Sequence, residues 1–215
     1  MRAPAVASPT RSTAKNRAKP SRDAALPVWD LTDFYRSPSD PAIARDVKKL
    51  AQLATTFAAT YAGTLAKASP KTLGSAITSY ETLQELMGKL GSYAQLLYAS
   101  DMTNPAHTQF YQNTQEQLTS IGSQLVFFGL EINKLSDATL KKAYAASPVV
   151  KRYRPWLEAV RSYKPYQLSD SLEQYIHETS VTLGAWQRLF DESITRLTFT
   201  VDGKTLTEPQ ALDLL

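Results

Sequence analysis

Catalytic chemistry in this chain would have to be assembled from few parts, because its 215 residues include two histidines and no cysteine. Thiolate metal sites, a cysteine nucleophile and a disulfide framework are excluded at once. His177-Glu178 begins like the zinc pattern His-Glu-x-x-His, in which histidines four apart on one helical face both reach the metal. The fourth residue on is Val181. One imidazole does not anchor zinc, and no carboxylate cluster beside it makes up the loss, so we read His177 as pairing with Glu173 one turn back. His107 falls in the first turn of a helix, where the dipole disfavours a positive ring, and is expected to be partly buried and neutral. No serine stands in a Gly-x-Ser-x-Gly elbow, and the eight glycines are too scattered for a phosphate loop. We assign no catalytic, cofactor-binding or metal-ligating residue.

One stretch suggests binding. From Lys151 to Tyr166, Lys151, Arg152, Arg154, Arg161 and Lys164 interleave with Tyr153, Trp156, Tyr163 and Tyr166, against Glu158 alone. Basic grooves with stacking aromatics hold single-stranded nucleic acid. No recognised nucleic-acid module accompanies the pattern. Aromatics packed between helices with charges facing water are the reading we prefer, and we expect no nucleic-acid partner.

The elements that carry these residues are marked by a recurring pair, a capping residue before proline: Asp40-Pro41, Ser69-Pro70, Asn104-Pro105 and Ser147-Pro148. The capping side chain accepts from a free first-turn N–H, and proline at the first helical position loses no bond. Apolar residues then recur at helical spacing. Ile43, Val47, Leu50, Phe57, Tyr61 and Leu65 predict a first rod of about 26 residues, about 39 Å long. Leu73 to Leu97 predict a second over 69–100, and Tyr111 to Ile132 a third over 104–133. Short links require such rods to pack in alternating directions. Shorter helices follow over 136–146 and 155–163. Another starts near Asp170, where Asp170 and Glu173 have capping-box spacing, and continues past Gly184 with Arg188–Glu192 and Glu192–Arg196 as four-apart ion pairs.

The period then changes from helical to alternating. Leu197, Phe199 and Val201 are apolar between polar neighbours, and Asp202-Gly203 supplies a tight turn, so 197–207 is a β-hairpin. Thr207-Glu208-Pro209 opens a last helix whose apolar residues run to Leu215 without a stop signal, which reads as truncation.

Charge is uneven. Residues 1–25 carry a net +5 and the remainder −1, within a total of +4. The basic segment is therefore expected to be a disordered tail on a near-neutral body of 43% hydrophobic composition overall. Its longest apolar run, Ala5-Val6-Ala7, is too short for a secretory signal. Elsewhere the longest apolar stretch, Leu125 to Leu130, falls far below the ~20 residues of a membrane span. A cytoplasmic protein without a membrane partner is expected.

Three stretches together resemble the oligoendopeptidase F group of the thimet-oligopeptidase family of zinc metallopeptidases. They are Leu26-Pro27-Val28-Trp29-Asp30-Leu31 through Phe34-Tyr35, Tyr166 to Glu192, and the hairpin Leu197 to Thr207. The resemblance implies a mainly α fold, with long antiparallel helices followed by shorter helices and one hairpin, forming the N-terminal part of a larger metallopeptidase. It implies a long-helix domain over 26–165 and the start of the peptidase body over 166–215. It also implies oligopeptide substrates, a channel wall, and a zinc site further along than this chain extends, with none bound here and the fragment inactive alone. The alternative is a non-enzymatic helical module that binds peptides or another protein. Oligomeric state is not legible.

Overall fold

The computed structural model describes residues 29–215. The expected tail over 1–25 and Leu26, Pro27 and Val28 of the opening motif lie outside the described residues. Two units are distinguished, Met1–Asp30 and Leu31–Leu215; all that follows concerns the second.

Its elements in chain order are α1 (Pro41–Tyr61), α2 (Pro70–Ser100), α3 (Pro105–Ser123), α4 (Val126–Lys134), α5 (Asp137–Ala146), α6 (Pro148–Arg152), α7 (Arg154–Ser162), α8 (Asp170–Arg196), β1 (Thr198–Val201), β2 (Lys204–Thr207) and α9 (Glu208–Leu212). The fold is mainly α with one small antiparallel sheet, as the sequence indicated. Every capping residue before proline starts a helix. Asp40 Oδ1 accepts from Ala42 N at 2.9 Å, Ser69 Oγ from Thr72 N at 3.1 Å, Asn104 Oδ1 from Ala106 N at 3.0 Å and Ser147 Oγ from Val150 N at 3.3 Å. Each bond satisfies a donor that the helix itself leaves free.

The core lies where α1, α2 and α3 pack together and where α4 to α7 close over α2. Leu50, Ile77, Leu83, Leu90, Phe128, Ile132, Val150 and Leu157 are fully buried. Phe128 is its aromatic centre, 4.6 Å from Tyr80 and 5.1 Å from Phe57 between ring centroids. Such tilted and edge-on pairs add to plain area burial because the positive ring edge meets the negative face. Tyr35 docks the segment before α1. It lies edge-on to Tyr93 at 5.2 Å, and its hydroxyl donates to Asp46 Oδ2 at 2.8 Å.

Two helix boundaries and one helix cap differ from the sequence reading. The first rod stops at Tyr61, four residues short of Leu65, because Ala62 leaves helical geometry and Gly63 turns with φ +74°. Glu131 on α4 fixes that turn, accepting from Gly63 N at 2.5 Å and Leu65 N at 3.2 Å. The expected third rod is two helices. Gly122-Ser123 marks the break, and Gln124 N and Leu125 N bond three residues back to Ile121 O and Gly122 O. Adjacent Gly and Ser give the helix little to resist this tightening. Finally, α8 is capped one residue earlier than expected. Ser169 Oγ accepts from Leu172 N at 3.4 Å, while Glu173 reaches back to Leu168 N at 2.8 Å.

The hairpin has the expected turn, with Asp202 at φ 50° and Gly203 at φ 74°. Phe199 pairs with Leu206 and Val201 with Lys204. Helix α9 packs back on both strands. Thr207 N donates to Gln210 Oε1 at 3.0 Å at its start.

Candidate functional site

Helix α8 is turned inside out relative to an ordinary surface helix. At about 100° per residue, His177, Val181, Arg188 and Glu192 share one face, and Leu172, Ile176, Leu183, Trp186 and Phe190 share the face roughly 160° away. The first, mostly polar face lies against α3. The second is open: Leu183 is 63% exposed, Trp186 69% and Phe190 60%. No residue of α8 is buried. Leu197, Phe199 and Val201 of the hairpin and Leu212 of α9 are also exposed. So many large apolar side chains exposed along one helix face are uncommon on the surface of a monomer and mark a contact site.

The residues singled out for chemistry are dispersed. His177 does not pair with Glu173, as expected from spacing, because Glu173 is engaged with Leu168 N. Its Nε2 instead lies 3.2 Å from Thr119 O on α3. The ring occupies the room left by Gly122, where a Cβ would stand 3.1 Å from Nε2. Glu178 is exposed and accepts from Gln174 Nε2 at 2.7 Å. His107 is half-buried, and its Nδ1 has no partner. Among the described residues no three His, Cys, Asp or Glu side chains converge as metal ligands. The described side chains therefore do not fit a zinc ion.

The Lys151–Tyr166 segment divides by role rather than forming one basic groove. Arg161 is structural: its Nη1 donates to Ile132 O at 2.9 Å and Leu135 O at 2.8 Å, and its Nη2 meets Asp137 Oδ1 at 2.6 Å. It thus closes the carbonyl end of α4. Arg154 pairs with Glu158 at 2.7 Å, and the Tyr153 hydroxyl donates to Glu81. Trp156 stacks on Phe128 at 6.3 Å. Tyr163 and Tyr166 remain exposed.

Spacing did not disclose the polar seam between α3 and α8. Arg188 and Glu192, read from sequence as a four-apart ion pair, have side chains only 19% and 17% exposed, with Nε to Oε1 at 3.9 Å. With its amide oxygen turned to the guanidinium, Gln112 accepts from Arg188 Nε at 3.1 Å. A cleft of about 210 Å³ lies here, lined in part by Tyr98, Tyr111 and Gln115. The two tyrosine rings stack at 5.0 Å. Burial, then the nearby carboxylates of Glu192 and Asp191, push the Tyr98 phenol above its ordinary range. The available signal was the stripe Gln112, Gln115 and Thr119, polar residues at helical spacing on α3 that match the polar side of α8.

Comparison with known proteins places these features. The family model described as oligopeptidase F matches residues 131–199. Oligopeptidase PepF of Bacillus subtilis (strain 168) is 25% identical over 167 residues, covering 76% of this chain and 24% of that protein. The crystal structure of oligoendopeptidase-F from Enterococcus faecium matches with a TM-score of 0.68 at 17% identity, over 78% of this chain and 33% of that one. This last likeness concerns the fold. The chain thus spans about a quarter of the curated relative's length. The family model and the curated relative are both of the oligopeptidase F type, which agrees with the resemblance carried by the motifs of the sequence.

Proposed function

We propose that this chain is the N-terminal part of an oligopeptide-cleaving zinc metallopeptidase of the oligoendopeptidase F type, forming one wall of its substrate channel and inactive alone. The observation that carries the reading is the reversed helix α8. A helix that sets its polar side on its own domain and turns Leu172, Ile176, Leu183, Trp186 and Phe190 outward is built to be covered by more protein. In the relatives much more chain is present, since this one spans 24% of one and 33% of the other.

In this reading residues 26–165 form the long-helix domain and 166–215 begin the peptidase body, with zinc ligands contributed by the remainder. The chain's own residues act by shape. The rigid packing of α1 to α3 holds the wall, and α8 with its hairpin joins the wall to the body. A cytoplasmic location belongs to the same proposal.

Two measurements test it. Genomic sequence is expected to continue in frame beyond Leu215 into a zinc motif, and a native stop codon directly after Leu215 overturns the reading. The longer product is expected to cleave quenched fluorescent oligopeptides and to lose that activity on chelation. Inertness towards every member of a diverse oligopeptide library, with zinc bound, counts against it.

A further inference from the structure

A second surface, away from the polar seam, has the makings of a ligand site. Between α4 and α7, where the 164–166 turn leads towards α8, lies a groove of about 550 Å³. Its walls are Leu130, Val160, Trp156, Tyr163 and Tyr166, and its floor includes Gly129. Trp156 is held by stacking on Phe128 and by Tyr80 at 5.9 Å, so its indole is preset. A Cβ on Gly129 would meet nothing within 4 Å, so the floor has room for an inserted group.

The groove also contains an incompletely satisfied amide. Asn133, 7% exposed, donates through Nδ2 to Gln167 Oε1 at 2.9 Å, while its Oδ1 accepts from nothing. A buried carboxamide oxygen without a donor costs free energy until one arrives. Glu173, also on the lining, already accepts from Leu168 N. A carboxamide offers a donor and an acceptor side by side, and the backbone N–H and C=O of one residue in an extended chain present the complementary pair. Gln167 supplies only half of that match, from a half-buried side chain on an exposed connector.

We propose that this groove binds an extended peptide, seating one aromatic or aliphatic side chain over Gly129 beside Trp156 and Tyr163. The backbone N–H and C=O of that peptide residue pair with the Asn133 carboxamide in place of Gln167. The inference rests on the oligopeptidase reading for its ligand class and adds a place on this chain where peptide is held. No bond is made or broken there, so the groove acts on affinity and on the register of the bound peptide.

The test is an NMR titration of the ¹⁵N-labelled 215-residue chain with N-acetyl-phenylalanine N-methylamide. The Trp156 indole and Asn133 side-chain amide signals are followed, with N-acetyl-glycine N-methylamide as the comparison. Saturable shifts of both signals are expected, with the glycine compound at least about tenfold weaker. Gly129→Leu fills the floor in open space, so it keeps the fold and lowers affinity at least about tenfold. Asn133→Leu keeps the side-chain volume and lowers it similarly by removing both amide bonds. Absence of saturable shifts in the unsubstituted chain, or unchanged affinity in Gly129→Leu, overturns the proposal. Unchanged affinity in a folded Asn133→Leu chain overturns the amide pairing. Peptide binding here without peptidase activity in the longer protein would sink the enzyme reading alone; activity without this binding would sink the groove alone.

Discussion

His177 on α8 lies in the gap left by Gly122 on α3, with Nε2 3.2 Å from Thr119 O and 3.1 Å from where a Cβ at position 122 would stand. This contact helps set how closely the two helices approach. Gly122→Leu is therefore expected to push α8 away and make it an early target in limited proteolysis. Gly88→Ala on α2, where a Cβ meets nothing, is the counter-case. It is expected to raise stability by up to about 1 kcal/mol through helix propensity alone. Thermal melts and protease time courses of the two variants check both statements.

Arg161 joins α7 to the end of α4 through two carbonyls and Asp137, and its side chain is 14% exposed. Lysine keeps the charge and loses the planar fork. Arg161→Lys is expected to cost about 1.5–3 kcal/mol, the range for hydrogen bonds to a charged group. Urea unfolding reads this as a lower midpoint at constant slope. An unchanged midpoint would mean that the carbonyls are satisfied without the fork.

Glu131 holds the turn after α1 by accepting two backbone N–H groups. Removing the carboxylate in Glu131→Ala leaves both donors to water or to nothing. A loss of about 1–3 kcal/mol is expected. Hydrogen exchange at Gly63 and Leu65 should quicken more than exchange in α2, which locates the effect.

Tyr35 and Asp46 give stability a pH signature. Burial alone would raise the Asp46 carboxyl, but hydrogen bonds from Tyr35 and Lys89 outweigh it and hold the group below its ordinary 3.8. Burial first, and the Asp46 contact second, push the Tyr35 phenol well above its ordinary 10.0. A depressed carboxyl stabilises the fold above the unfolded value and loses that contribution as pH falls through the folded one. A raised phenol contributes below pH 10 and loses it as pH rises further. Unfolding midpoints should therefore decline below about pH 4 and above about pH 10. Asp46→Asn should flatten the acid side, and an unaltered acid limb would refute this assignment.

The exposed face of α8 makes a prediction in solution. Leu183→Lys with Trp186→Lys is expected to reduce binding of an apolar dye and self-association of the chain while leaving its circular dichroism unchanged. These side chains support nothing inside the fold, being 63% and 69% exposed. Loss of helix would show that they do.

The parts of this architecture that were legible in the sequence were those set by local rules. Asp40, Ser69, Asn104 and Ser147 announced their helices because capping is decided within three residues. Asp202-Gly203 announced the hairpin because its φ values require such residues. Helix ends were less legible, since the stop after Tyr61 depends on Glu131, some seventy residues further on. The break at Gly122-Ser123 had a local cue that apolar periodicity overrode. His177 was misplaced because spacing on one helix says nothing of the helix opposite. The orphaned Asn133 oxygen was beyond reach for the same reason, as an Asn between Ile132 and Lys134 gives no hint of how many of its bonds are met.

The reversed polarity of α8 also bears on how the protein is made. Synthesis runs from the N-terminus, so α1 to α3 can settle their core before α8 emerges, and in the longer peptidase proposed above the Leu183–Trp186–Phe190 stripe would stand bare until the remainder covers it. In that interval it has the character of a chaperone ligand or a signal for degradation. On that proposal, chains that never acquire their cover would stay marked for removal, and those that do would erase the mark by assembling.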